Sequence, residues 1–143
     1  MLRDLGYDPT SVCLVLKTRR AARAITRRYN ALLNPYGIQS IQASLLFAID
    51  RGGFKSISEM ADWLSIERSA LTRNISLLRE RGLICSDENK QGKAQKVILS
   101  ADGRKLIETI SPLWLQAQDA VREEVGEESW DKIQNALAAI GGL

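Results

Sequence analysis

Histidine is missing from this chain of 143 residues, and cysteine occurs only twice. Without histidine, Ser-His-Asp and Cys-His arrangements cannot be built, and most zinc sites go with them. Cys13 and Cys85 do not form a metal-ligand spacing, so neither a metal nor another cofactor is expected. The usual tools of an enzyme are therefore missing, and a non-enzyme is expected. No apolar run approaches the roughly 20 residues of a membrane span, so no membrane partner is expected. The opening MLRDLGYDPTSV lacks a signal-peptide layout, which leads to the expectation of a cytoplasmic protein. Internal repeats, low-complexity tracts and linkers are also wanting. A chain of this length holds one ordinary domain with a genuine core.

Acid is unevenly withheld. None occurs between Asp8 and Asp50. Residues 1–100 hold 16 Lys/Arg against 9 Asp/Glu, a net of +7, whereas residues 101–143 hold 4 against 8, a net of −4. The overall charge of +3 hides this division. A basic front and an acidic tail point to a face that meets a polyanion, with nucleic acid the first candidate.

What is present reads as helices broken by one hairpin. Over residues 12–34, Leu14, Thr18, Ala21, Ala22, Ile25, Tyr29 and Leu32 fall on one stripe at the helical period, and Asn34-Pro35-Tyr36-Gly37 ends the segment. A second, largely apolar helix covers 39–50 and stops at Gly52-Gly53. Ser56 and Glu59 fit a capping box that opens a short helix at 57–64. Residues 65–67 are a tight connection to a helix at about 68–81, which Gly82 terminates. Two short strands, LICSDE and AQKVILS, then flank a polar tip. Ser100 caps a helix at about 101–125, with a kink expected near 108–112 because of Pro112. A last helix at about 127–140 places Trp130, Ile133, Leu137 and Ile140 on one stripe. The fold class is thus mainly α (α+β).

Two short helices joined by three residues are a helix-turn-helix signal. In the second, Leu71, Ile75 and Leu78 must bury against the first. Ser69, Thr72, Arg73 and Ser76 make a continuous exposed stripe without an acid, and Arg68 stands at the helix start. Small hydroxyls permit close approach, and arginine reaches phosphate or the O6/N7 edge of guanine. The hairpin tip carries Lys90, Gln91 and Lys93, so it can act as a wing along the minor groove. Together these features predict a DNA reader. A winged helix used only for protein contact is the alternative, distinguished by its lack of salt-dependent DNA affinity.

The sequence resembles the MarR-type winged helix-turn-helix regulators over about residues 12–140. YGIQSIQASLLFAI is similar to the family's Gly-Leu-Thr-x-x-Gln-x-x-x-Leu, with Gly37, Ile38, Gln42 and Leu46 at the matching places. SISEMADWLSIERSALTRNISLLRERGLI resembles its helix-turn-helix and the start of its wing, and LSADGRKL its Leu-Thr-x-x-Gly. One departure concerns the wing, where the family usually has Asp-x-Arg and this chain has Gln91 and Lys93. Lysine keeps the charge but lacks the planar fork of arginine.

The resemblance implies a single MarR-like domain over 1–143, with a DNA-binding lobe at 39–100 and dimerisation helices at 12–34 and 101–143. It implies a homodimeric transcription regulator, a repressor in most such cases, bound to double-stranded DNA at a pseudo-palindromic operator. Its two recognition helices would lie roughly 34 Å apart. It also implies a small anionic or phenolic effector, with Arg19 and Arg23 as candidates for gripping an anion and Tyr29 and Trp114 for an aromatic wall. Some relatives sense oxidants through a cysteine near the start of the first helix, which makes Cys13 a redox candidate, although the aligned place is Val15. Cys85, in the first wing strand, is expected to be structural.

Overall fold

The computed structural model describes residues 4, 6, 8–87 and 97–142. It begins with a four-residue helix, α1 (Pro9–Val12), followed by α2 (Leu14–Leu33). The sequence pattern predicts a single helix from residue 12, but Cys13 is extended (φ −63°, ψ 112°) and separates the two. The cause is local: Asp8 accepts from the Thr10 amide at 2.9 Å and from its hydroxyl at 2.7 Å, and Pro9 follows as the first helical residue. These bonds from Thr10 also hold the Asp8 carboxyl below its ordinary pKa.

After α2, a 3-10 turn (Asn34–Tyr36) ends at Gly37 in the left-handed region, φ 67°. Helix α3 (Ser40–Arg51) then starts with the Gln39 amide donating to Gln42 Oε1 at 3.0 Å, and it supplies Ala43, Leu45, Leu46, Ala48 and Ile49 to the core. Helix α4 (Ile57–Leu64) packs against it, and α5 (Arg68–Glu80) against α4, within one apolar core. Strands β1 (Ile84–Ser86) and β2 (Val97–Leu99) pair antiparallel, Ile84 opposite Leu99 and Cys85 opposite Ile98. Ile84 and Leu99 face the core, so the intervening pair faces outward. The expected strands were longer, and residues 88–96 between the observed ones lie outside the described range.

Helix α6 (Ala101–Val125) is opened by Ser100, whose Oγ accepts from the Gly103 amide at 3.0 Å. It is continuous through Pro112, despite the missing amide there. Its inward residues are those the period predicts: Ile110 and Ala117 are buried, and Leu106, Leu113 and Val121 half-buried. Helix α7 (Glu127–Gly141) completes the chain and buries no residue.

The buried set draws on α2 through Leu33, on α3–α5, on both strands, and on α6 through Ile110. The apolar stripe along α2, a dimerisation helix by the family resemblance, is largely uncovered within this chain. Tyr29 and Leu32 are half-buried, but Leu14 is 60% and Ile25 38% exposed. On α7, Leu137 is 49% and Ile140 67% exposed. A helical period fixes which residues share a face; it does not say whether this chain or another covers them. Among the described residues, no helix is long and apolar enough to cross a membrane.

Candidate nucleic-acid interface

The geometry of α4 and α5 starts with their caps. Ser56 Oγ accepts from the Glu59 amide at 3.1 Å, as the capping signal predicts, while Glu59 reaches back to the Lys55 amide at 2.6 Å rather than to Ser56. At the other end of α4, Ser65 adopts a left-handed conformation (φ 53°, ψ 44°). The Ile66 amide donates to the Ala61 carbonyl at 3.0 Å, the six-to-one bond of a Schellman turn. This sharp stop turns the chain within three residues into α5. Glu67 precedes α5 without a side-chain cap, so among the described residues no side chain takes up the first amides of α5.

Helix α5 divides as its spacing predicts. Leu71 and Leu78 are 0% exposed and Ile75 3%. Burying three such side chains contributes roughly 1.5–3 kcal/mol each, as an upper bound, and sets the helix's rotation. Arg68, Ser69, Thr72, Arg73 and Ser76 are all exposed on the other side. No ion pair among the described residues engages Arg68 or Arg73. Thr72 Oγ1 donates to the Arg68 carbonyl at 2.9 Å, and Ser76 Oγ donates to the Thr72 carbonyl at 3.2 Å. Each hydroxyl therefore spends its one proton on its own helix and presents lone pairs outward. The face combines acceptors at Thr72 and Ser76 with the donors of Arg68 and Arg73. Beside it, a shallow concavity between α4 and the start of α5 is lined by Ser58, Asp62, Glu67 and Arg68 among others.

The wing begins directly after α5. Gly82 (φ 69°) releases the chain, and Leu83 and Ile84 are buried. Lys90, Gln91 and Lys93 lie outside the described residues. The base of the wing is tied to α6 at three points. The Ser100 amide donates to the Leu83 carbonyl at 3.1 Å, and Ser100 Oγ to the Gly82 carbonyl at 2.6 Å. Gly103 lies so close that a Cβ there would stand 2.0 Å from the Leu83 carbonyl oxygen. The sequence pattern did not single out Arg81. It projects from the end of α5 to the turn after α2, donating to the Gly37 carbonyl at 2.5 Å.

No family model matches the chain. Among solved structures, it is similar to the Mycobacterium tuberculosis transcriptional regulator MosR, with 31% identity over 93% of this chain and 96% of that one, and a TM-score of 0.80. MosR is also seen in complex with DNA, and that structure matches with 32% identity over 91% of this chain and 94% of that one, at a TM-score of 0.79. This chain belongs to the MarR family of transcriptional regulators. The Bacillus subtilis HTH-type transcriptional regulator YwoH is 25% identical over 115 residues, 80% of this chain and 84% of that protein. A Mycobacterium tuberculosis MarR family protein in complex with salicylic acid has the same fold. It shares 18% identity over 89% of this chain and 95% of that one, with a TM-score of 0.71.

The remaining residues singled out for this MarR family chain divide into two groups. Tyr29 and Trp114 are brought together, edge to face with ring centroids 6.1 Å apart, and Phe47 joins them 5.9 Å from Trp114. Desolvation raises the Tyr29 pKa. Arg19 and Arg23 are exposed on α2 and make no ring contact with this aromatic cluster. Cys13 is half-buried at the break before α2. Cys85 is exposed on the outer face of β1, which corrects its expected structural role: in a strand of alternating faces, the buried neighbours Ile84 and Leu99 send it to solvent.

Proposed function

We propose that this MarR family regulator acts as a homodimer that reads a pseudo-palindromic operator with two copies of α5. The observation that carries this reading is the α5 face itself, exposed, without an acid over Arg68–Ser76, and led by an N-terminus without a side-chain cap. The uncapped amides and Arg68 suit a phosphate. Arg73 suits guanine O6 and N7, and the outward lone pairs of Thr72 and Ser76 suit the amino groups of cytosine or adenine. The wing residues Lys90, Gln91 and Lys93 would add contacts along the minor groove.

Dimerisation is supported by the uncovered apolar stripe of α2 and the unburied α7. A dimer would set the two α5 helices about one DNA turn apart, roughly 34 Å. Repression follows as the simplest mode of action, since a dimer seated on a promoter excludes polymerase. A small anionic or phenolic compound is proposed as the effector, because Tyr29, Phe47 and Trp114 form an aromatic wall where α2, α3 and α6 meet. Such a compound must favour a dimer whose reading helices no longer match successive grooves.

The test is fluorescence anisotropy with DNA flanking the protein's own coding region, titrated with salt. The wild type should lose affinity steeply with salt through counterion release. Arg73→Ala should lose roughly 1–3 kcal/mol of operator binding and relax preference at one base pair. Its unfolding midpoint should stay unchanged. If Arg73→Ala binds the operator with wild-type affinity and the same sequence preference, α5 is not the reading helix.

A further inference from the structure

The end of α5 carries a guanidinium whose partners are carbonyls. Arg81 Nη1 donates to the Gly37 carbonyl at 2.5 Å, and Nη2 lies 3.4 Å from the Tyr36 carbonyl. Both oxygens belong to the turn that closes α2. That turn is pinned on either side by Leu33 and Ile38, each only 1% exposed. Gly37 is left-handed, and a Cβ there would stand 3.4 Å from Arg81 Nη2, so the guanidinium rests against the turn itself. Among the described residues, no other side-chain hydrogen bond joins α5 to this turn.

A cation at a helix C-terminus is favoured by the helix dipole, but a lysine would serve that purpose equally. Arginine adds two donors held on one rigid planar fork, which here reach two successive carbonyls from separate nitrogens. The two elements so joined are also the two with separate tasks: α2 bears the uncovered apolar stripe, and α5 bears the exposed polar face. On the reading of α5 as the DNA-reading helix, we propose that Arg81 is a positioning residue that couples α5 to the dimerisation helix α2. One end of the strap moves with α2 and the other with α5. A change in dimer geometry therefore reaches the tilt of the reading face through this contact, alongside the core. The neighbouring bonds of Ser100 to Gly82 and Leu83 tie the same corner to α6.

The test compares the full-length wild type with Arg81→Ala, Arg81→Lys and Arg73→Ala on the operator DNA that the wild type binds. A second readout uses a nitroxide on Cys85 in a Cys13→Ser background. Cys85 is exposed on β1, four residues after Arg81, and its distance across the dimer reports lobe orientation. Both Arg81 variants should lose about tenfold in operator affinity, within the roughly 2- to 30-fold typical of residues that transmit coupling without touching ligand. Their salt slope, helix content and dimer mass should match the wild type, and the Cys85 distance distribution should broaden. Wild-type affinity in Arg81→Lys would mean that charge alone suffices and would overturn the strap. A salt slope reduced by about one would make Arg81 a phosphate contact and overturn it too. Unchanged affinity in both Arg81 variants, with Arg73→Ala impaired, refutes the strap alone. If Arg73→Ala also binds normally, it is the reading of α5 that fails.

Discussion

Replacing Gly103 by alanine sets two effects of opposite sign against each other. Gly103 sits in the first turn of α6, in ordinary helical conformation, so alanine should favour the helix by about 1 kcal/mol. The new Cβ, however, would stand 2.0 Å from the Leu83 carbonyl oxygen, where real Cβ atoms keep at least 3.0 Å. Helix α6 and the start of the wing must therefore separate by 1 Å or more. That movement strains the Ser100 amide bond to Leu83 and the Ser100 hydroxyl bond to Gly82. Two such bonds are worth about 0.5–1.5 kcal/mol each. Forcing a methyl into a close-packed contact adds about 1–3 kcal/mol. The cost exceeds the helix gain, and a net loss of about 3 kcal/mol is expected, or about 10 °C in midpoint for a chain of this size. Urea unfolding followed by circular dichroism, at constant m-value, measures it. Lys105→Ala, an exposed site in the same helix, serves as control and should stay within about 0.5 kcal/mol of wild type. A Gly103→Ala protein as stable as wild type, or more so, would refute the close-approach reasoning and leave helix propensity as the larger of the two effects.

Two further outcomes follow from the uncovered faces and the ion pairs. Leu137→Asp, on the exposed stripe of α7, should shift sedimentation from dimer to monomer and abolish operator binding together with it, since one reading helix alone cannot span a twofold site; a dimer of unchanged mass would move the interface elsewhere. The Arg28–Glu124 pair joins α2 to α6 at 2.5 Å, and its hydrogen bond to Arg28, with the guanidinium's charge, holds the Glu124 carboxyl below its ordinary pKa. A depressed carboxyl contributes stability that is complete above its unfolded pKa and is lost as pH falls through the folded one. Thermal midpoints should therefore fall less steeply in Glu124→Gln than in wild type over roughly pH 5 to 3, and parallel curves would show that this exposed pair contributes nothing.

The helix-turn-helix was legible before any tertiary information, because its signals are local. Ser56 and Glu59 mark the start of α4. The i, i+4, i+7 spacing of Leu71, Ile75 and Leu78 fixes which side of α5 is buried, and the same geometry leaves Ser69, Thr72, Arg73 and Ser76 outside. Capping could be read at Ser100 for the same reason. The break at Cys13 is equally local, but the apolar period running through it masks the Asp8-Pro9-Thr10 cap that causes it. Nor could the period tell that Leu14 and Ile25 would be left uncovered.

What the sequence by itself determined was the run of longer helices, the side of each that carries its apolar residues, and the acid-free stretch Arg68–Ser76 of α5. These depend on residues within one or two turns of each other, where spacing is geometry. Only the tertiary structure decided which distant segments meet. Arg81 finds carbonyls 44 and 45 residues away, and Gly103 meets the backbone of Leu83 across the base of the wing. An arginine that pairs with main-chain oxygen leaves no complementary charge in the sequence, and a glycine chosen for close approach looks like any other glycine. Their roles exist only once the chain has brought backbone to backbone.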